Sequence, residues 1–469
     1  MSTRNLVLPF CLLFFSFFGG KNANAKDKMA NSKSYYVAPT GDDSRSAKEA
    51  SNPATPWKTI QKAASSIAGG ETVIIAGGIY HEKVSVPVSC NGDEKKVTLF
   101  KAKEGDSVIV DGDNGGKIWQ GFFSLKQNKF ITLKGIRVQN SYWYGFDIID
   151  CDHITIDGCS TYNTGASGIY CNKGTLINAL NNNIRKACQR PYREPNGNGT
   201  QECITFAGIN NFIIKGNEIW DSKVPNIAGG EGIDTKGGSH DGEINGNYVH
   251  DILLLGIYVD AGSREGYNIK VCNNKLIRTA GLGVAGELGG YAHDIYFYNN
   301  LLVESIGSSL VLQSTGNGKF TNIYVVNNTF YNSAHKGFAG EIGSYSKNTE
   351  NANIIIKNNI FYNKVANARF SIWHNVAPAH QLSNNLYFDF KPSNNGTNSY
   401  KVSNLTATDI QEDPQFKEVD KNDFSLKSSS PAIKKGIPIM ITGSNSLLFS
   451  TDINGKQRGK TNWNMGAYE

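Results

Sequence analysis

The sequence has few of the features that point to a membrane protein or a nucleic-acid-binding protein. Beyond residue 18 it contains no apolar run close to the ~20 residues that a membrane-spanning helix needs, so membrane insertion is not expected. Lysine and arginine are scattered along the chain, which argues against a nucleic-acid partner. Proline is sparse, with 13 residues, whereas the 50 glycines suit a chain that turns often.

Cysteine is also scarce and irregularly spaced. Seven cysteines follow residue 25, an odd number without any CxxC pair, which argues against a zinc site and against a disulfide framework. Most of them are predicted to be small core residues. Cys188 and Cys203 flank the polar segment 189–202, and a disulfide at the base of that segment is the alternative.

The N-terminus has the pattern of a secretory signal peptide. Arg4 is followed by the apolar run Leu6–Phe18 and by the small-residue sequence Ala23-Asn24-Ala25, which predicts cleavage near residue 25. A secreted or periplasmic location is therefore expected. The net charge of +6 and pI of about 8.7 are a mild positive excess, and outside the cell this favours an acidic polysaccharide as partner.

What the sequence does contain is a near-periodic segment from Tyr144 to Asp389. Each unit has a short apolar strand, a turn, and an asparagine near an apolar residue; the last six of these asparagines are spaced 27, 26, 28, 31 and 26 residues apart. Such a period indicates a solenoid, and strand-rich units with asparagine at the turns predict an all-β, right-handed parallel β-helix with stacked asparagines. The asparagines are Asn182, Asn217, Asn247, Asn274, Asn300, Asn328, Asn359 and Asn385.

The repeat also predicts how the chain is divided. Residues 1–25 are the signal peptide, and residues 26–120 are expected to form an N-terminal cap and the first coils, with a helix opening at Pro56. Residues 121–390 are the coils that carry the active groove. Residues 391–469 are predicted to add C-terminal coils and to close the far end, and the whole molecule is expected to be an elongated monomer.

The strands predict one chemically unusual patch. Side chains alternate between the two faces of a strand, and adjacent coils lie ~4.8 Å apart, so outward residues at matching positions become neighbours. Aligning the strands that begin with glycine places one lysine among acids, with further polar residues in the bordering turns and later coils. The predicted patch consists of Asp234, Lys236, Tyr258, Asp260 and Glu287, bordered by His240, His250 and Arg264, with Glu341 and Trp373 further along.

Two reactions need such a patch. In β-elimination from a uronic acid, a base with a lowered pKa such as Lys236 removes the C5 proton, and a cation neutralises the substrate carboxylate; acids on the same face can hold Ca²⁺. Tyr258 would then return a proton to the leaving oxygen.

In retaining glycoside hydrolysis, two carboxyl groups such as Asp260 and Glu287 act ~5–5.5 Å apart. The remaining interpretation is that these charges are paired surface groups that contribute little to stability.

Several short segments resemble the secreted bacterial right-handed parallel β-helix proteins that act on polysaccharides. The similar segments are Tyr36-Val-Ala-Pro-Thr-Gly41, Pro56-Trp57-Lys58-Thr59-Ile60, Asn327-Asn328-Thr-Phe-Tyr331 and Met465-Gly-Ala-Tyr-Glu469. The resemblance covers essentially the whole mature chain. It implies the parallel β-helix fold, and it is much less specific about the reaction.

Two narrower resemblances imply different roles for the patch. Glu231-Gly-Ile-Asp-Thr-Lys236 is similar to the part of the chondroitinase B and alginate lyase family that holds a calcium-ligand Glu and the catalytic Lys. It implies Lys236 as base and Glu231, with Asp234, as metal ligands, although Tyr258 and Asp260 stand where that family has an arginine. Gly256–Asp260 and Gly286-Glu287 resemble β-helical xylosidases, which implies Asp260 as nucleophile and Glu287 as acid/base.

Together these features predict a carbon–oxygen lyase that performs β-elimination on a uronate-containing polysaccharide or oligosaccharide. The cleavage of a chain and the dehydration of a terminal sugar are both compatible with the sequence. The alternatives are a retaining glycoside hydrolase that uses Asp260 and Glu287, and a β-helix that binds glycans without catalysis.

Overall fold

The structure is a computed structural model. It describes residues 32–113, 116–190, 201–222, 230–333, 341–346, 348–364, 372–374, 380–388 and 405–469. The predicted signal peptide lies outside these residues. Within them, no helix is both long enough and apolar enough to cross a membrane.

The chain winds into a parallel β-helix, as predicted, and this helix has three faces. All strand pairs between coils are parallel, and each coil contributes a strand to each face in the regular part of the helix. Three strands of 12 residues bend from the first face into the second: Phe146–Asp157, Ile169–Leu180 and Ile204–Lys215.

The first face carries the predicted patch. Besides the first halves of the long strands, it contains Val84–Val86, Phe123–Lys126, Ile233–Lys236, Ile257–Asp260, Leu282–Gly286, Leu310–Ser314, Ile342–Tyr345 and Ile372–His374.

The second face begins at the N-terminus of the described chain. Besides the second halves of the long strands, it contains Ser34–Val37, Thr72–Ile75, Thr98–Ala102, Lys129–Lys134, His240–Asn245, Glu265–Cys272, Tyr291–Tyr298, Lys319–Val326, Ala352–Lys357 and His380–Ser383.

The third face is a separate sheet of 12 short strands. They are Gly78–Tyr80, Val108–Asp111, Ile136–Gln139, Ser160–Tyr162, Asn183–Arg185, Glu218–Ser222, Tyr248–Ile252, Lys275–Ile277, Leu301–Val303, Thr329–Tyr331, Ile360–Tyr362 and Leu386–Phe388.

The asparagine ladder is confirmed at all eight predicted positions. The side-chain amides of the first seven each donate to the side-chain oxygen of the asparagine in the next coil, for example Asn274 to Asn300 at 3.0 Å and Asn300 to Asn328 at 3.0 Å. The backbone N–H of each also donates to that same oxygen. The residue before each asparagine has a positive φ, such as Asn299 at 55°, because the chain turns sharply from the second face into the third there.

The N-terminal cap contains a helix, but it begins later than predicted. Pro56 lies outside it, because the hydroxyl of Thr59 accepts a hydrogen bond from the Lys62 N–H and so caps a helix over Ile60–Ser66. Trp57, just before the cap, is fully buried and its ring stacks on Tyr35. A one-turn helix, Ala47–Ala50, precedes this pair.

The C-terminal segment departs from the prediction that it closes the far end. Ile410 does add one bridge to the last coil, at Leu386, but most of residues 413–469 lie along the flank of the β-helix. Arg458 donates to Asn299, and Trp463 packs with Tyr298 and Tyr324 in one apolar cluster. An antiparallel pair, Phe416–Glu418 with Asp423–Leu426, and short 3₁₀ turns at Val88–Cys90, Glu287–Gly289 and Val419–Lys421 complete the fold.

The seven cysteines of the described chain are all buried and all free thiols. This agrees with the prediction of small core residues. Cys188 and Cys203 are among them, so the alternative prediction of a disulfide at the base of the polar segment does not hold in this structure.

Candidate active site

The strand register of the first face brings four of the predicted residues together. Asp234 pairs with Tyr258, and Lys236 pairs with Asp260 on the next coil. These residues alternate with the buried Ile233 and Ile257, so their side chains leave the outer surface of the face. The predicted strand position of Lys236 beside Asp260 of the following coil is confirmed, but the ion pairs of its amine are with Glu202 and Asp234.

Glu287 also lies in this patch, but not at the strand position that the sequence predicted. The residue opposite Asp260 is Ala285, two positions earlier, because the strand starts at the buried Leu282 and Gly283 faces outward. A Cβ at Gly283 would lie 2.8 Å from the Tyr258 ring, so only glycine leaves room for that ring. Glu287 instead starts a 3₁₀ turn, and its Oε1 accepts a hydrogen bond of 2.9 Å from the Tyr258 hydroxyl.

Lys236 lies between two carboxylates on the floor of the groove. Its Nζ is 2.5 Å from Glu202 Oε1 and 3.4 Å from Asp234 Oδ2. The hydroxyl of Thr205 donates to the other oxygen of Glu202 at 2.8 Å. The side chains of Glu202 and Asp234 are only 7% and 3% exposed, so this ion-paired group is largely shielded from water.

Glu202 has no role in the sequence prediction, where it is only the edge of a polar segment. It stands two residues before Ile204, as Glu231 stands two residues before Ile233, and these two isoleucines pair across adjacent coils. An alignment of the coils extended upstream of the strands would have placed the two glutamates side by side. Gln313, which donates to Glu287 Oε1 at 2.6 Å, is the other contributor without a predicted role.

The protonation of Lys236 differs from the expectation. Burial alone would lower the pKa of the amine, but the carboxylates of Asp234 and Glu202 outweigh it and raise the pKa above its usual value. The prediction of a lowered pKa is therefore wrong for this arrangement, because the nearby acids Asp234, Glu202 and Glu231 all raise the pKa of Lys236. At neutral pH the amine is a charged ammonium.

The acids, in contrast, have pKa values shifted toward neutrality. Burial, reinforced by Glu202, raises the pKa of Glu231 to about 7. Burial also raises the pKa of Asp260 to about 6, helped by the charge of Glu287 and opposed by the Gly262 N–H, which donates to Asp260 at 2.6 Å. The pKa of Asp234 is raised well above its usual value, mainly by burial. The patch therefore holds carboxyl groups that exchange protons near neutral pH.

These residues line an open groove of about 490 Å³. Its floor is the acidic patch, and Leu254, Leu255 and Val311 supply apolar walls. A groove with a few polar groups between apolar walls is the usual form of a small-molecule or sugar site.

Three other predicted residues lie on other parts of the helix. His240 is on the second face, where its ring stacks on Tyr267. The prediction that His250 borders the patch is wrong: it belongs to the third face, stacked on Trp220, because its strand follows the asparagine turn. Arg264 does lie in the turn after Asp260, but its side chain packs on Gly238 and is not among the described residues that line the groove.

Glu341 does not extend the patch as predicted, whereas the role expected of Trp373 stays a prediction. Glu341 precedes the strand Ile342–Tyr345, and it is 1% exposed, so it does not face substrate. It was aligned with Glu287, but the strand of its coil begins after it: Ile342 pairs with Leu310, and the position in line with Asp260 falls at Tyr345. Trp373 does pair with Gly343 on the first face, but its side chain lies outside the described residues.

A calcium ion in the patch would need oxygen ligands that converge on one point. Calcium takes six to eight oxygen ligands, roughly. Within the described residues, no three Asp, Glu, His or Cys side chains converge as a metal site. The Lys236 ammonium already lies between Glu202 and Asp234, so these residues fit an ammonium ion rather than a calcium ion. The calcium site at Glu231 and Asp234 stays a prediction, and no step below depends on it.

Comparison with known families supports the fold. A model of a Pel9A-like right-handed β-helix region matches residues 35–195, and a model of a right-handed β-helix region matches residues 120–302. The uncharacterized protein YwoF of Bacillus subtilis is 23% identical over 455 residues, which cover 85% of this chain and 91% of YwoF.

Solved structures show the same architecture at low sequence identity. A complex of XylC with xylose has a TM-score of 0.54 at 13% identity, covering 92% of this chain and 98% of XylC. PfbA, a surface adhesin of Streptococcus pneumoniae, has a TM-score of 0.52 at 12% identity, and the match covers 81% of this chain and 95% of PfbA. Pectate lyase Pel9A has a TM-score of 0.50 at 16% identity, and the match covers 94% of this chain and 98% of Pel9A. With the three parallel faces described above, these matches show that the chain is a right-handed parallel β-helix protein.

Proposed function

We propose that this protein is a polysaccharide-active enzyme that hydrolyses glycosidic bonds in the first-face groove, with Asp260 and Glu287 as its two catalytic carboxyl groups. One observation carries the proposal: Glu287 accepts hydrogen bonds from two donors in the groove beside Asp260, whose pKa burial raises to about 6. Acid-assisted glycoside cleavage needs two carboxyl groups, one of which keeps a proton near neutral pH.

The hydrogen bonds assign the roles. Tyr258 and Gln313 both donate hydrogen bonds to Glu287 and hold its side chain in place, which suits a nucleophile. Asp260, whose pKa is raised by burial, suits the general acid. These roles are the reverse of those implied by the xylosidase resemblance.

The reaction proceeds in two displacements. Asp260 donates its proton to the glycosidic oxygen while a Glu287 oxygen attacks the anomeric carbon, so the bond to the leaving sugar breaks as a glycosyl ester forms. Asp260, now a carboxylate, then removes a proton from water. The resulting hydroxide attacks the anomeric carbon, releases Glu287 and leaves Asp260 protonated again.

The charge of the groove favours a neutral sugar. Five carboxyl groups and one ammonium line it, so a uronate carboxylate would meet like charge. The apolar walls suit the faces of sugar rings. The structural neighbour XylC is a protein complexed with xylose, a neutral sugar, which supports this choice of substrate class only by analogy of fold. The predicted signal peptide fits action on an extracellular polysaccharide.

β-Elimination on a uronate is the second candidate, and the position of Lys236 favours it. The amine stands on the groove floor beside Tyr258, as a base and a proton donor would. Elimination requires a neutral amine, and therefore conditions in which Glu202 and Asp234 no longer hold its proton. This requirement ranks elimination below hydrolysis.

Product analysis tests the proposal. The purified protein is incubated with neutral and acidic polysaccharides, and both new reducing ends and the ultraviolet absorbance of unsaturated uronates are recorded. We expect reducing ends without that absorbance. Glu287→Gln and Asp260→Asn should each reduce the rate by about 10²–10⁴-fold, whereas Glu218→Gln, a carboxylate change on the third face, should have little effect.

The opposite results are equally definite. Formation of unsaturated product that disappears in Lys236→Ala would replace hydrolysis with elimination. Retention of a glycan without any product would identify a binding protein. Either result would overturn the assignment of Asp260 and Glu287 as catalytic groups.

A further inference from the structure

A second groove lies on the outer surface of the third face, away from the proposed active site. Its volume is about 580 Å³. It crosses several coils, because outward residues at matching positions of successive third-face strands form its floor. We call it the third-face groove, and its main lining residues are Arg137, Gln139, Tyr162, Asn183, Arg185 and Trp220.

Cationic and aromatic side chains alternate along this groove. The Arg185 guanidinium lies 4.2 Å from the centre of the Trp220 ring and 5.6 Å from that of Tyr162. Lys186 Nζ lies 5.8 Å from the Tyr162 ring centre. Arg185 is also held by Asp221 at 3.3 Å, so the guanidinium and the two rings form a fixed platform.

Arg137 is the arginine of this groove whose charge is not neutralised by a described carboxylate. Its Nε donates to the Ser160 hydroxyl at 3.2 Å, and within the described chain it forms no ion pair. It is exposed at the edge of the groove, beside the amides of Gln139 and Asn183. Its guanidinium can therefore receive a carboxylate in a two-point contact, with amides nearby for hydroxyl groups.

The later coils of this face are covered by the C-terminal segment, unlike the coils of the groove. From the coil of Ile277 onward, outward residues such as Leu301, Val303 and Tyr362 are apolar and lie under the C-terminal segment. In the coils of Arg137 to Trp220 the outward residues are polar, charged or aromatic, and the acids Glu218 and Asp221 among them are bonded to Asn183 and Arg185. The uncovered part of the face therefore has the composition of a sugar-binding surface rather than of a covered one.

We propose that the third-face groove binds the carboxylate-bearing sugars of an acidic oligosaccharide. The rings of Tyr162 and Trp220 offer faces against which sugar rings pack, and Arg137 and Arg185 supply the charge that matches a uronate. This site goes beyond the proposed hydrolysis, because it is on another face and binds an acidic sugar rather than a neutral one. It would hold the protein on an acidic matrix while the first-face groove acts on neutral chains.

Binding of tetragalacturonic acid to the full protein tests this inference. We expect measurable binding by isothermal calorimetry that weakens as salt is added. Arg137→Ala should weaken it by about tenfold, whereas Lys129→Ala, which removes one exposed charge from the second face, should leave it unchanged. Glu287→Gln should bind as the unaltered protein does, and Arg137→Ala should keep the hydrolytic rate.

Three outcomes would overturn the inference. They are absence of binding, equal binding by Arg137→Ala, and loss of binding in Glu287→Gln or Lys236→Ala, which would place the ligand in the first-face groove. Failure of hydrolysis with retained, Arg137-dependent binding would contradict only the proposed function. The two proposals are thus tested separately.

Discussion

Single residues in this protein acquire their chemistry from the charges around them. Lys236 was expected as a base because of its position, and its position is as expected. Its pKa is nevertheless raised, because the two carboxylates that contact it outweigh the effect of burial. Asp260 is an ordinary acid in the sequence, but burial and the neighbouring Glu287 raise its pKa to about 6.

Glu341 allows a prediction at this scale. Burial raises its pKa to about 8, only partly offset by the nearby Ser309 hydroxyl. A folded-state pKa above the unfolded value of roughly 4.3 means that the contribution of this group to stability is full at low pH and is lost as pH rises toward 8. Glu341→Gln should therefore raise the melting temperature at pH 8, and should change it little at pH 4.

The comparison is made by thermal unfolding across that pH range. Glu350→Gln is a suitable control, because Glu350 is exposed and forms a surface ion pair with Lys319. Equal effects of Glu341→Gln at both pH values would contradict the protonation argument, whatever their sign.

At the scale of elements, the asparagine ladder fixes the corner between the second and third faces. Each ladder asparagine joins its neighbours along the axis and also donates to a carbonyl of the preceding coil, as Asn300 does to Val271 at 2.8 Å. All eight are nearly inaccessible to water, so no solvent would replace a lost bond. The ladder therefore sets the register on which the first-face groove depends.

Asn300→Ala tests the ladder. It removes the bonds to Asn328 and Val271 and leaves the Asn274 donors without their acceptor. We expect the free energy of unfolding to fall by about 3 kcal/mol, measured as a lower midpoint of urea unfolding. Asn317→Ala, at an exposed turn, should change it by less than about 0.5 kcal/mol. Equal midpoints for the two variants would refute a structural role for the ladder.

At the scale of the whole molecule, the C-terminal segment determines which surfaces stay open. It covers the corner around Asn299 and the outward apolar residues of the later third-face coils. It leaves the first-face groove and the third-face groove uncovered. Outward apolar residues such as Tyr324 and Val326 are buried only because this segment returns along the helix.

Trp463→Ala should detach part of this cover. Trp463 is fully buried, and its indole N–H donates to the Gly459 carbonyl. Removal of a buried tryptophan side chain costs about 3–5 kcal/mol, so we expect a lower melting temperature and faster proteolytic cleavage beyond residue 436. Trp463→Phe should show a smaller effect. Unchanged cleavage in Trp463→Ala would mean that other contacts hold the segment.

The sequence by itself determined the repeat, the asparagine ladder and the outward positions of Asp234, Lys236, Tyr258 and Asp260, because periods of one coil and of two residues are local properties of the chain. Only the tertiary structure decided what depends on contacts between coils. It placed Glu202 on Lys236, shifted Glu287 by two positions under the Tyr258 ring, moved His250 to another face, and returned the C-terminal segment along the flank. Protonation, packing and cover all depend on contacts between residues far apart in sequence, which the period within one strand does not encode.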